Sequence, residues 1–171
     1  MGGDRPYTKT ELRQRAKDQE DPRWLAWLNE MGEQVDRFLN ETVPDMPDDP
    51  WSVEGLQRAE QALLERFPNS GDESGPENQE LVDQFARFIG ETFRRHFEGE
   101  WYNAPDADDM QGSRGFGPVL REGYNPEYLD TVPLVSMAIY RRTGKEWGRI
   151  FGHSQRRYAQ WVAAGRPEPT W

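Results

Sequence analysis

The amino-acid sequence predicts an α+β fold that is predominantly helical, with about five or six helices around a central helix at 77–98 and a small antiparallel β-hairpin. Three observations carry this. Apolar residues recur at three and four through most of the chain, which is the period of a one-sided helix. Proline and glycine punctuate these runs at their ends. Only beyond Glu100 does the period shorten, in two segments that read as strands.

Taken in order, residues 1–20 form a flexible or loosely docked N-terminal segment. Residues 1–7 are expected to be loose. Residues 8–19 (TKTELRQRAKDQ) contain helix formers with almost no apolar face, so folding there is expected on docking. A globular helical domain spans 21–165. Asp21 can cap its first helix, Pro22 suits the first turn, and Trp24, Leu25, Leu28, Met31, Val35, Phe38 and Leu39 repeat at helical spacing. Pro44 closes that helix, and PDMPDDP reads as an acidic linker. The next helix starts near Ser52, carries Leu56, Ala59, Leu63 and Phe67 on one stripe, and ends at Pro68.

The segment NSGDESGPENQ reads as a mobile acidic loop. Pro76 then opens the most apolar helix, with Leu81, Val82, Phe85, Phe88, Ile89, Phe93 and Phe97 on a broad face. Gly90 within it costs near 1 kcal/mol of helix propensity, which predicts a neighbour packed closely there. Gly99 is the expected stop. Glu100–Tyr102 and Pro118–Arg121 are the candidate strands of a hairpin near 100–121. Asn125-Pro126-Glu127 resembles a helix start, Val132–Arg142 a buried helix, and Lys145–Ala164 a final helix with Trp147, Ile150, Phe151, Tyr158, Trp161 and Val162 on one face. Residues 166–171 form a tail.

Composition narrows the function. The 11 Leu, 3 Ile, 8 Val and 8 Phe fall below the roughly 20% at which highly charged chains tend towards disorder. The 7 Trp and 6 Tyr compensate, since each large aromatic buries about 150–250 Å². The absence of cysteine excludes disulfides, thiolate zinc sites and cysteine nucleophiles. The N-terminus has no apolar core of a signal peptide, and Thr131–Tyr140 is about half the length of a membrane span, so a cytoplasmic location is expected and no membrane partner. The net charge of −10 is uneven: residues 1–110 hold 12 basic and 26 acidic side chains, residues 111–171 hold 9 and 5. Either the two parts attract within one fold, or the acidic side repels nucleic acid and attracts a basic protein.

No motif of catalytic, metal-binding or cofactor-binding strength stands out, so no cofactor is called for. Asp106-Ala107-Asp108-Asp109 suggests calcium, but counted from Asp106 the loop has Gln111 at position six and Gly117 at position twelve, where an EF-hand needs Gly and Glu. His96 and His153 each stand alone, without the four-residue partner of a metal helix. Arg141, Arg142, Lys145, Arg149, Arg156 and Arg157 interleave with Tyr140, Trp147, Tyr158 and Trp161, a pattern that can track a nucleic acid. The aromatics nonetheless fall on one helical stripe, and the acidic chain makes such binding unfavourable.

Phe88 to Trp101 (FIGETFRRHFEGEW) is the most distinctive stretch. It resembles a pattern of small uncharacterised actinobacterial proteins: apolar, Gly-Glu, Thr, apolar, Arg-Arg, then Gly-x-Trp. Leu56–Phe67 and Arg141-Arg142-Thr143-Gly144 are similar too. The resemblance implies a shared helix–hairpin–helix fold. A weaker likeness to bacterial toxin-immunity proteins implies a protein partner. Independently of any family, Glu91 and Arg95 are spaced to pair on a helix face, and Trp101 can fold over the helix end.

The leading expectation is a protein acting by protein–protein interaction, as an immunity or regulatory partner. Its candidate partner-binding residues are Glu91, Arg94, Arg95, Trp101, Asp106, Asp108 and Asp109. One alternative is a small enzyme or ligand-binding domain with a cleft between the central helix and the hairpin, using Glu91 and His96. Another is nucleic-acid binding through 141–157.

Overall fold

The computed structural model describes residues 6–108 and 114–169, and only the backbone of Ala107 and Asp108. It is a predominantly helical α+β fold with a small antiparallel sheet. Helix α1 (Lys9–Asp18) begins with a reciprocal cap, in which Thr8 and Glu11 satisfy each other's backbone N–H. It has no buried residue. Polar contacts hold it instead: the Gln19 amide bonds both the N–H and the carbonyl of Asn103, and Asn103 Nδ2 donates to the Asp18 carbonyl.

The single helix expected from Asp21 to Leu39 is divided. Asp21 does cap its start, accepting from the Arg23 N–H, but α2 (Pro22–Asn29) stops at Glu30 and α3 (Met31–Arg37) runs into a π-helical turn, Phe38–Thr42. The two ends of this stretch serve different cores. Trp24 and Trp27 pack with Phe116 in a small cluster, whereas Phe38 enters the main one. Helix α4 (Val53–Arg66) follows the expected stripe, with Leu56, Ala59 and Leu63 fully buried and Ser52 as its cap. The segment expected as a mobile acidic loop forms two 3₁₀ turns, Asp72–Ser74 and Pro76–Asn78, tied by Asn78 Nδ2 to the Asp72 carbonyl.

Helix α5 (Gln79–Phe97) is central and packs against α3, α4 and the sheet. It ends not on Gly99 but on Glu98, which takes the left-handed conformation (φ 55°). The Glu98 carboxylate is anchored by Tyr158 Oη at 2.5 Å and Arg166 Nε at 3.0 Å, which helps hold a backbone form unusual for glutamate.

Strand β1 (Glu100–Asn103) leads through the short helix α6 (Pro105–Asp108) to β2 (Pro118–Arg121). They pair antiparallel with Trp101 opposite Leu120. A third strand, β3 (Leu129–Asp130), completes the order β1-β2-β3. It occupies the region expected to start a helix. Asn125 instead accepts the Glu127 N–H in a local turn, and α7 (Thr131–Arg141) starts after the strand. Helix α8 (Glu146–Ala163) closes the core with Trp147 and Phe151. Both α7 and α8 pack on α5. Among the described residues, no helix is long and apolar enough to cross a membrane.

Candidate functional site

The distinctive segment forms the second half of α5 and the start of β1, and its charged residues belong to a longer pattern. Asp83, Arg87, Glu91 and Arg95 lie four apart, so they line one face of α5 with alternating sign. Each meets a tryptophan. Asp83 Oδ1 accepts the Trp27 indole N–H at 2.8 Å. The Arg87 guanidinium lies 4.0 Å from the centre of the same ring and donates to the Trp27 carbonyl at 2.8 Å. Glu91 Oε1 accepts the Trp101 indole N–H at 2.8 Å. The Arg95 guanidinium sits 4.0 Å over Trp51.

Glu91 is the centre of the junction. Arg94 clamps it with Nε to Oε1 at 2.8 Å and Nη2 to Oε2 at 3.0 Å, and Arg95 Nε stands 3.6 Å from Oε2. The Glu91 side chain is 6% exposed, against 40% for Arg94 and 45% for Arg95. Burial pushes its carboxyl up. The hydrogen bonds from Arg94 and Trp101 and the two guanidinium charges outweigh that and hold it below the usual range. Of the sequence-derived candidates, Glu91 therefore lies inside, Trp101 is half-buried, and the two arginines present outer edges.

Gly90 explains how Trp101 gets so close. A Cβ at this position would overlap the far edge of the Trp101 indole. The ring also meets Trp27 edge-on at 5.1 Å. The junction between α5 and the hairpin is thus filled by an aromatic ring where the ligand-cleft alternative needed space. His96 does not join Glu91. Its Nε2 lies 2.7 Å from the Trp51 carbonyl, on another side of the helix.

Asp106 is exposed in α6, which ends at Asp108, and Asp109 lies outside the described residues. Among the described residues, no three His, Cys, Asp or Glu side chains converge as metal ligands. In the basic C-terminal part, Arg141 and Arg149 both bind Glu146 at 2.5 Å, Arg142 caps the Phe67 and Leu64 carbonyls, and Trp147 is fully buried. Arg141, Arg142 and Arg149 thus each bond within the chain while remaining exposed, as are Tyr140, Lys145 and Arg156.

Two charged centres escaped the sequence reading. Asp83 gathers Trp27, Arg87 and Arg114, the last at 2.9 Å, and so ties α2 and the loop before β2 to α5. The four-residue alternation on α5 was its visible signal. Glu60, fully buried on α4, accepts the N–H groups of Glu146 and Trp147 at 3.1 and 2.8 Å and caps α8 from another helix. Burial pushes its carboxyl up despite those two bonds. No local pattern announces a cap so distant in sequence. No protein-family model matches the chain, and no curated protein or solved structure does either.

Proposed function

We propose that this protein acts by binding a basic protein partner, through the acidic surface contributed by residues 30–80. The observation that carries the reading is an imbalance of exposed charge. Glu33, Asp36, Glu41, Asp48, Glu54 and Glu77 are all exposed. The arginines of the same stretch are engaged within the chain: Arg37 with Glu33 and Glu80, Arg58 with Asp45, and Arg66 with Asn78. The surface offers acceptors to a partner and few free cations. The finer reading, an immunity or regulatory role, rests on the likeness of the 88–101 segment and on this charge.

Exposed charges of this kind set association rate more than residence time. Asp36→Asn, Glu41→Gln and Asp48→Asn combined remove three charges without touching a capping residue. The protein, immobilised, is used to capture partners from the organism of origin at low salt, and the captured species is then measured by surface plasmon resonance. The expected partner carries net positive charge, and its association slows about tenfold in the triple variant at low salt, with dissociation little changed. An equal association rate for wild type and variant at low salt overturns the proposal.

A further inference from the structure

Arg15 stands apart from most arginines of this chain because no carboxylate pairs with it among the described residues. Its partners are tyrosines. Nε donates to Tyr102 Oη at 2.9 Å and Nη2 donates to Tyr128 Oη. The guanidinium centre lies 4.2 Å from the ring of Tyr7, 5.2 Å from that of Tyr102 and 5.6 Å from that of Tyr128. Nη1 donates to no acceptor among the described residues, in an acidic chain where carboxylates are plentiful.

Beside it lies an open groove of about 240 Å³, between α1 and the outer face of the sheet. The α1 wall is the stripe Leu12, Arg15, Ala16 and Gln19, and the opposite wall carries Tyr102 and Arg121. The Arg121 guanidinium stacks 4.1 Å over the Tyr102 ring and pairs with the half-exposed Glu100. The acidic residues of α1 are turned elsewhere: Glu11 caps Thr8, and Asp18 receives Gln14. Among the described residues that line the groove, the charged ones are Arg15 and Arg121.

We propose that this groove binds a small oxyanion, a carboxylate or phosphate group of a ligand, with Arg15 Nη1 as its principal donor. The phenol hydroxyls of Tyr102 and Tyr128 each accept from Arg15, and that of Tyr102, which lines the groove, keeps its own O–H to donate onward. They also hold the guanidinium in one orientation, so little freedom is lost on binding. Arg121 adds a second positive charge at the far wall. The overall −10 charge opposes the anion only weakly at this site, because solvent ions screen charges beyond about 8 Å at physiological salt.

The test is an NMR titration of the ¹⁵N-labelled protein with sodium phosphate and, separately, sodium acetate, at constant ionic strength with chloride as the control. The expected result is saturable shifts of the Arg15 Nε–Hε signal and of the Gln19, Tyr102 and Asn103 amides, at about millimolar concentration for at least one of the two anions. Saturation by phosphate and not acetate identifies a phosphate-bearing ligand, and the reverse a carboxylate. Arg15→Gln should weaken that binding about tenfold, the worth of one charge-assisted hydrogen bond. If the ligand-free Gln19 and Asn103 amides show that α1 has left the sheet in this variant, Arg121→Gln takes its place, with several-fold weakening expected. Shifts that track chloride, or an unaltered midpoint in the variant that keeps α1 docked, overturn the proposal.

Discussion

Glu122 follows β2, is 1% exposed, and neither of its carboxylate oxygens has a hydrogen-bond partner. Burial pushes its carboxyl up to about 7. Tyr124, Arg157 and Asn125 lie near enough to pull it part-way back, without reaching hydrogen-bonding geometry on either oxygen. A folded value above the ordinary 4.5 means that the native state holds the proton more tightly than the unfolded chain. The stabilisation is therefore complete below about pH 4.5 and is lost as pH rises towards 7. Its full size is about 3 kcal/mol, at roughly 1.4 kcal/mol per pH unit between the two values. Glu122→Gln is neutral at every pH. It should match the wild type near pH 4.5 and exceed it by up to about 3 kcal/mol at pH 8, or about 6–12 °C in Tm for a chain of this size. Thermal melts followed by circular dichroism between pH 5 and 8 avoid the opposite effect of Glu91, Asp45 and Asp21, whose lowered values act at more acid pH. Glu60 is raised as well, so only the difference between wild type and variant reports on Glu122. Parallel stability curves for the two proteins over this range would refute the assignment of the proton to Glu122.

Gly90→Ala should destabilise by about 2 kcal/mol in urea titration, because the overlap with Trp101 outweighs the near 1 kcal/mol gain in helix propensity. A stabilised variant would mean that the ring does not pack there. Phe93→Ala removes a fully buried ring and should cost about 3–5 kcal/mol, and a loss under about 1 kcal/mol would displace α5 from the centre of the core. Arg87→Met should cost about 2–3 kcal/mol, less than a fully broken buried pair because Arg114 still serves Asp83. Adding Asp83→Asn should then cost less than it does alone, a coupling that a double-mutant cycle measures.

What the sequence made legible was local. The stripes of α4 and α5 follow directly from apolar spacing, and Gly90 announced a close neighbour before Trp101 was seen to be it. The break at Glu30 was not legible, because the apolar spacing runs on through it while Trp24 and Phe38 turn to different clusters. Strand β3 has two residues, too few for alternation to show, and its place is set by pairing with Val119 and Leu120. At the candidate site the Glu91–Arg95 spacing is legible, and the same four-residue step runs back to Arg87 and Asp83. The partners Trp27 and Trp51 could not be assigned from sequence, since they come from elements far from α5.

The alternating stripe also suggests why α5 keeps charges on a mostly buried face. Removing Asp83, Arg87 and Glu91 from water is costly, and each recovers part of that through several donors or acceptors. An apolar stripe of equal volume could be as stable. It would not specify which turn of α5 faces which tryptophan. An indole N–H only donates, so Trp27 and Trp101 need acceptors opposite them, and they meet Asp83 and Glu91. Sliding α5 by one turn would set Arg87 or Arg95 against those N–H groups, donor facing donor, with a carboxylate left over aromatic rings. The four-residue alternation thus penalises the nearest wrong register, in which the Trp101 ring would also lose the opening that Gly90 leaves for it.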